Sequence, residues 1–573
     1  MKKLFKHLNG YKKECVLGPL FKLLEASFEL LVPFVVAEII DIAIPSGNKS
    51  YLLYMCLALV GLGIVGFVCA VTAQFFAAKA ACGFAKDLKR SLFSHLQTLS
   101  FTELDELGSS TMITRMTSDT NQLQTGVNMA IRLLLRSPFV VFGAMIMAFI
   151  IDVKAGIIFA IAIPVLAIVV FAIILGCIPL YRRLQNKLDS VLQRTRENLA
   201  GARVVRAFNL QESEIEAFEK ENEELSKRQK FVGGISALMN PLTLVILNLA
   251  IIALVYVGAI RVDVGILTQG AVFALYNYMS QILIELIKLA NLIVTLTKAI
   301  ACGKRVSQVF DIQSSMQNGD KILEQNALFK IEFKNVSMQY KNSGADSLED
   351  ISFTVEKGQT VGIIGGTGCG KTTLINLIAR FYDVKSGEVL IDGVNVKEYD
   401  TQSLRDTIGI VPQKAVLFKG SIKDNLKWRN KNATDEEIEK AIEIAQAKDV
   451  VKSKGGLDAI VEQNGANFSG GQKQRLTIAR ALIGSPKILI LDDCASALDF
   501  ATEARLRKAL KKQGKDKTIF IVSQRASSIM HADKIIVLED GKMVGLGTHD
   551  ELLKSCKEYR ETYQMQNGVE VVS

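Results

Sequence analysis

Gly365-Gly366-Thr367-Gly368-Cys369-Gly370-Lys371-Thr372 follows the β-branched run Thr360–Ile364 and opens the helical pattern KTTLINLIARF, so its setting is strand, loop, helix. In that setting G-x-x-x-x-G-K-[ST] has a physical meaning. The glycines let backbone N–H groups turn inward around phosphate oxygens, the helix N-terminus adds partial positive charge, and Lys371 reaches the outer phosphates. The Thr372 hydroxyl is placed to hold Mg²⁺. A glycine turn without a ligand accounts for the loop but not for its two flanks. The stretch predicts a nucleoside triphosphate site.

Upstream the chain changes character. Of its 573 residues 49% are hydrophobic, and mean hydropathy is +0.26, more apolar than a soluble protein of several domains. The excess lies before residue 305, in runs such as Ala155–Leu180 and Leu238–Ile260, each longer than the ~20 residues that cross a bilayer. Six spans are predicted, near Val16–Ile44, Tyr51–Ala81, Val127–Ile151, Ala155–Leu180, Leu238–Ile260 and Ile266–Ile293. Lys2, Lys3, Lys6, Lys12 and Lys13 precede the first span, and Arg182, Arg183, Lys187, Arg194, Arg196, Arg203 and Arg206 follow the fourth. The short outer connections carry only Lys49, Lys154 and Arg261. This asymmetry predicts a multi-pass protein of the plasma (cell inner) membrane, with both termini and the second domain cytoplasmic. The net charge of +10 thus follows topology. No nucleic-acid partner is expected, because no basic and aromatic platform accompanies it.

The nine cysteines are scattered, without metal spacing, which fits a reducing setting. MKKLFKHLNGYKKE has no A-x-A-like site after the first apolar run. It reads as a basic amphipathic segment on the membrane surface, not a signal peptide. The inner intervals Cys82–Thr125 and Tyr181–Gly234 are long and helical in pattern; arms of about 20 residues would reach roughly 30 Å below the membrane. Polar Ile312–Ala327 reads as a linker, and Phe329–Val336 and Leu348–Val355 as strands beginning the next domain. The expected division is a transmembrane domain over 1–311, the linker over 312–327 and a nucleotide-binding domain over 328–573.

Downstream of the phosphate loop, FSGGQKQRLTIARAL (Phe468–Leu482) precedes KILILDD (Lys487–Asp493). Ile488–Leu491 is an apolar strand ending in Asp492, as a Mg²⁺-coordinating carboxylate at the tip of a buried parallel strand should. The order GGTGCGKT, Gln413, SGGQ, ILILDD, SALD resembles an ABC-type ATPase. RMTSDTNQLQ (Arg115–Gln124) and RENLAGARVVRAFNLQE (Arg196–Glu212) resemble intracellular-loop elements of type IV ABC exporters. The resemblance implies an all-α six-helix transmembrane domain followed by an α/β P-loop (RecA-like) nucleotide-binding domain with a helical subdomain. It implies ATP and Mg²⁺ as ligands. Gly365, Gly366, Thr367, Gly368, Cys369, Gly370, Lys371, Thr372 and Thr373 would cradle the phosphates. Tyr340 would stack on adenine, as an aromatic face can. Gln413 would join Thr372 and Asp492 at the metal and sense the γ-phosphate. Ser469, Gly470, Gly471 and Gln472 would bind the γ-phosphate held by the opposite ATPase domain, so a second chain is required. Alone, SGGQ is a helix cap and turn.

Two positions depart from the family pattern. Asp493 stands where the family has the catalytic Glu, and its carboxylate is withdrawn by about 1–1.5 Å, a misplacement that can cost on the order of 10²-fold. Gln524 stands where the family has the switch His, and Gln carries no positive charge. Gln463 also replaces the usual Glu of the X-loop. The pattern resembles the degenerate-site subunit of a heterodimeric, multidrug-type exporter, whose partner would supply Glu and His. A slow homodimeric exporter and an ATP-gated channel or regulatory subunit are the alternatives. In the sixth span Asn277, Gln281, Glu285, Lys288 and Asn291 share one helix face. They form either a pathway for amphipathic, drug-like or lipid-like substrates, or a Glu285–Lys288 pair pinning helices. Glu25 and Glu29, one turn apart in the first span, read as snorkelling.

Overall fold

The apolar run that begins at Val153 does not end where its apolar residues end. It forms one helix of 48 residues, Val153–Ala200, started by Asp152, whose carboxylate accepts a hydrogen bond from the Ala155 N–H at 3.0 Å. Span and arm are therefore a single rod, about 70 Å long at 1.5 Å per residue. The computed structural model describes residues 2–324, 327–341, 343–513 and 516–568; Gln325 and Asn326 of the expected linker lie outside them. Two units emerge, Met1–Gln97 with Ser109–Ile312, and Thr98–Gly108 with Gln313–Ser573.

The first unit is helical: α1 Lys12–Glu38, α2 Lys49–Thr98, α3 Thr120–Leu133, α4 Arg136–Ile151, α5 Val153–Ala200, α6 Ala202–Ala207, α7 Gln211–Ala237, α8 Met239–Asp263 and α9 Gln269–Asp311. Among the described residues five helical stretches are long and apolar enough to cross a membrane, beginning at Lys49, Ser109, Val153, Gln211 and Gln269. The first expected span, Val16–Ile44, is helical as α1 over most of its length but is not among these five, since Lys22, Glu25, Glu29 and Glu38 interrupt its apolar run. On α2 only 6% of the apolar window is buried, and Val60, Ile64, Phe67, Val71 and Phe75 form an exposed stripe. Water would not tolerate that surface; hydrocarbon does. The inner faces instead carry small residues, including Ala26, Ala144, Ala148, Ala162 and Ala274, which let helices approach closely. The basic N-terminal segment is also helical, with Leu4 buried and the Lys3 ammonium 2.6 Å from Asp311, so one of its lysines is committed to α9.

The second unit contains β1 Ile331–Met338, β2 Leu348–Val355, β3 Thr360–Gly365, α10 Lys371–Ile378, β4 Ser386–Ile391, β5 Ile408–Val411, α11 Gly470–Leu482, β6 Ile488–Asp492, α12 Phe500–Lys511, β7 Thr518–Val522, β8 Lys534–Glu539, β9 Lys542–Gly547 and α13 Lys557–Asn567. The main sheet runs β9-β8-β3-β7-β6-β5, parallel except for β9. An antiparallel sheet, β2-β1-β4 with Val394–Asn395, stands apart from it. Every residue of β6 is buried, as a strand inside a parallel sheet requires. A second core gathers the helical region between β5 and β6.

One boundary differs from expectation. Thr98–Gly108, inside the predicted membrane domain, belongs to the second unit. Its helix, Phe101–Leu107, starts with a capping box between Ser100 and Glu103. The Phe101 ring lies 4.6 Å from that of Phe381, and Tyr382 Oη donates to Asp105 at 2.6 Å. Those contacts are long-range, which is why a linear reading does not foresee where the segment packs. Nearby, Arg380 is 2% exposed; it donates to Asp383 at 3.0 Å and to the carbonyls of Lys397 at 3.1 Å and Gln317 at 2.7 Å. Arg380→Ala should lower the stability of this unit by about 3 kcal/mol, because three acceptors lose one buried, charged donor. Thermal unfolding of the purified chain reads this as a lowered first transition.

Candidate functional site

The loop between β3 and α10 needs glycine for reasons visible in its surroundings. At Gly365 φ is +155°, and a Cβ would lie 2.1 Å from the Leu538 carbonyl oxygen. At Gly370, φ +96°, a Cβ would meet the Ser347 carbonyl at 2.6 Å. Side chains are excluded at both ends, leaving the backbone to line the loop. Lys371, 9% exposed, folds over it and donates to the carbonyls of Gly365 at 2.9 Å and Gly366 at 2.5 Å. Cys369 is buried beneath, its sulfur 3.7 Å from the same ammonium.

A cleft of about 250 Å³ opens beside this loop, lined by Tyr340, Thr367, Gly368, Gly370, Lys371, Thr372, Thr373, Gln413, Asp492, Asp493 and Gln524 together with Ser347 and Val522. It lies at the C-terminal ends of the parallel strands, where open α/β sheets bind ligands. Tyr340 stands half-buried at one side, its hydroxyl 3.1 Å from Thr373 Oγ1 and its ring edge-on to Tyr382 at 5.1 Å. Thr372 Oγ1 donates to Asp492 Oδ2 at 3.0 Å. A hydroxyl and a carboxylate side by side are hard oxygen donors, and with Gln413 nearby they fit Mg²⁺. Gly365, Gly366 and Cys369 support the cleft without lining it. Ser347 and Val522 had no sequence signal, since neither carries a distinctive chemistry.

The two carboxylates at the end of β6 occupy different settings. Burial raises Asp492 above the ordinary carboxylate range, and the neighbouring Asp493 adds to this, against a hydrogen bond from Thr372 and the charge of Lys371. Asp493 is also raised by burial, opposed by Lys371, Gln413 and Arg525. Asp493 sits at φ +43°, a left-handed conformation that Asp tolerates better than most residues. Gln413 Nε2 lies 3.4 Å from its Oδ2, so the side chain after β5 reaches the one after β6.

Ser469, Gly470, Gly471 and Gln472 are not brought to this cleft. Ser469 caps α11: its hydroxyl accepts from the Gln472 N–H at 3.4 Å, and Gln472 Oε1 accepts from the Ser469 N–H at 3.0 Å. Within one chain the segment is the helix cap that its residues suggest. Gly471 is required locally, because a Cβ there would lie 2.8 Å from the Ala497 carbonyl. Gly470 is exposed and a Cβ there would meet nothing within 4 Å.

In the first unit the polar stripe divides. Asn277 Nδ2 donates to its own helix at Phe273, and Gln281 Oε1 is buried without a partner among the described residues. Glu285 is 3% exposed and accepts from Arg136 at 2.5 Å, Ser137 at 2.8 Å and Lys288 at 2.8 Å. Arg136 also donates to Glu29 at 2.6 Å, with Glu25 at 3.9 Å. Glu25 pairs with Lys22. Glu25 and Glu29 therefore belong to a network joining α1, α4 and α9 rather than simply reaching outward. Arg136 is the residue that sequence reasoning missed. The available signal was an arginine inside the predicted third span, which needs a buried partner.

Residues 15–286 match the family described as the ABC transporter transmembrane region, and residues 348–496 match the family described as ABC transporter. An uncharacterized ABC transporter ATP-binding protein of Mycobacterium tuberculosis is 34% identical over 97% of each chain. An ATP-dependent lipid A-core flippase of Pectobacterium atrosepticum is 29% identical over 99% of this chain and 98% of its own. The fold is shared with a bacterial Atm1-family ABC exporter solved with ATP bound, at a TM-score of 0.80 and 24% identity, over 98% of this chain and 99% of that one.

Removing Arg136 would leave Glu29 without its cation and Glu285 with only Ser137 and Lys288, whereas Glu285→Gln leaves Arg136 on Glu29. Arg136→Gln should cost about 3–5 kcal/mol, the loss expected when a buried pair is broken, and Glu285→Gln distinctly less. Denaturation in detergent of the two variants measures the difference.

Proposed function

The chain belongs to the ABC transporter family and has its exporter fold, and on that premise we propose that it is the degenerate-site subunit of a heterodimeric, ATP-driven exporter. What supports this most is the make-up of the cleft. A complete binding set, Tyr340, Lys371, Thr372 and Asp492, stands beside Asp493 and Gln524 at the two catalytic positions. In this reading the chain holds ATP at its own site and turns it over slowly. Bound Mg²⁺, held by Thr372, Asp492 and Gln413, would neutralise phosphate charge. Asp493 keeps an acid near the attacking-water position but withdraws it, and Gln524 supplies a hydrogen bond without the charge of the family's histidine.

The exposed signature supports the need for a partner. Ser469 and Gly470 face outward on α11 with room for an approaching group, and in this reading they complete the γ-phosphate site on a second chain that carries Glu and His. The ATPase unit lies on the cytoplasmic side, as the lysine and arginine asymmetry favours. The cargo is an amphipathic molecule, lipid-like or drug-like, consistent with the flippase relative and with a membrane unit that combines apolar faces with the Glu285 cluster.

Lys371→Ala should weaken nucleotide binding at this chain's site while the partner's site stays occupied, read by photolabelling each subunit of the native complex. The sharper comparison pairs two variants in that complex. Ser469→Arg puts bulk and charge where the partner's phosphate would sit, and should remove most ATP hydrolysis and vesicle transport, a loss of roughly 10²–10³-fold if a transition-state donor set is spoiled. Asp493→Asn should do far less. If Asp493→Asn silences the complex and Ser469→Arg is mild, the division of labour is reversed.

A further inference from the structure

The loop after β7 carries Gln524 into the cleft, and it is tied down from several directions. The Ser523 N–H donates to the Ile363 carbonyl of β3 at 3.1 Å. Arg507 of α12 donates to the Ser527 carbonyl at 2.9 Å, and the Arg525 guanidinium lies 5.1 Å from the centre of the Phe500 ring. These ties hold the flanks of the loop. The residue that holds Gln524 itself comes from α13, the last described helix.

Gln566 uses both ends of its amide. Its Nε2 donates to the Gln524 carbonyl at 2.7 Å, and its Oε1 accepts from the Ala526 N–H at 2.8 Å. A planar amide offers a donor and an acceptor one carbon apart, and here they flank Arg525, holding the Gln524–Arg525 peptide by its carbonyl and the next peptide by its N–H. Fixing that peptide fixes the direction in which the Gln524 side chain leaves the backbone. α13 can bear this role because it is anchored: Tyr559 is fully buried, its hydroxyl is 2.7 Å from His549 Nδ1, and the Tyr563 ring stands edge-on to the same imidazole at 5.0 Å.

We propose that Gln566 is a positioning residue for nucleotide binding, a strap from α13 that aims the Gln524 amide at the terminal phosphate in this chain's cleft. The inference rests on the reading of Gln524 as a phosphate contact. It assigns α13, which lies outside all the nucleotide motifs, a part in discriminating ATP from ADP. Glu at 566 is nearly isosteric and keeps the acceptor for Ala526, but it removes the donor and sets a carboxylate against the Gln524 carbonyl.

The test uses the full chain in lipid nanodiscs, with equilibrium binding of Mg·ATP and Mg·ADP and the melting temperature without nucleotide. Gln566→Ala, Gln566→Glu and Gln524→Ala should each weaken Mg·ATP about tenfold, the worth of one hydrogen bond to a charged group, and leave Mg·ADP unmoved. The double variant Gln524→Ala with Gln566→Ala should bind Mg·ATP no worse than Gln524→Ala alone. Gln566→Glu should melt with the unaltered chain. Equal losses for ATP and ADP, or additive losses in the double variant, would mean that Gln566 acts through general stability, and the strap is wrong. If Gln524→Ala weakens ATP while both Gln566 variants bind normally, the strap falls and the reading of Gln524 stands. If Gln524→Ala binds ATP normally, both fall together.

Discussion

A chain that enters hydrocarbon has nowhere but itself to place its backbone hydrogen bonds, and much of this molecule follows from that. Each apolar run must be a helix, and a helix once started continues while nothing stops it. α2 extends for 50 residues and α5 for 48, well past the ~20 that a bilayer needs. The polar arms are thus extensions of the spans. A displacement of one end of such a rod is a displacement of the other, which is the mechanical property a transporter needs if chemistry in one place is to move a cargo elsewhere.

The second unit solves a different problem, that of keeping anionic groups close together and dry. Five parallel strands end on one side of the sheet, and the side chains just beyond them converge without any one strand being distorted. Asp492 and Asp493 are neighbours in sequence but diverge, because the left-handed turn at Asp493 sends its carboxylate toward Gln413 while Asp492 faces Thr372. The two carboxylates are sent to different partners by a single residue's backbone angle. The signature segment has no such convergence within the chain, and its glycines divide the work: Gly471 serves local packing and Gly470 leaves a surface open.

What could be read from the sequence was whatever is local. The phosphate loop carries its strand, glycines and helix within a dozen residues, and β6 announces itself by four apolar residues and an aspartate. SGGQ was legible at two levels, as a cap and as a family motif, and the single chain displays the first. The Arg136 network was not legible, because its carboxylate partners lie 107 and 149 residues away and each reads with its own helix neighbours, Glu29 with Glu25 and Glu285 with Lys288. The packing of Phe101–Leu107 was not legible for the same reason, its partners Phe381 and Tyr382 being far along the chain. Gln566 is an ordinary polar residue on an exposed helix face, and only the fold reveals that both ends of its amide are used.

The same network has a consequence for how the chain is made. Glu29 on α1 meets Arg136 only after 107 more residues, and Arg136 meets Glu285 only after another 149. At ~5–20 residues per second, roughly ten to fifty seconds of synthesis separate the first helix from the last. For the first 107 residues of that interval α1, interrupted by Lys22, Glu25, Glu29 and Glu38, carries in Glu29 a carboxylate whose final partner does not yet exist. α1 is therefore made well before it can be settled, and any factor that shelters nascent membrane helices would have a long task there.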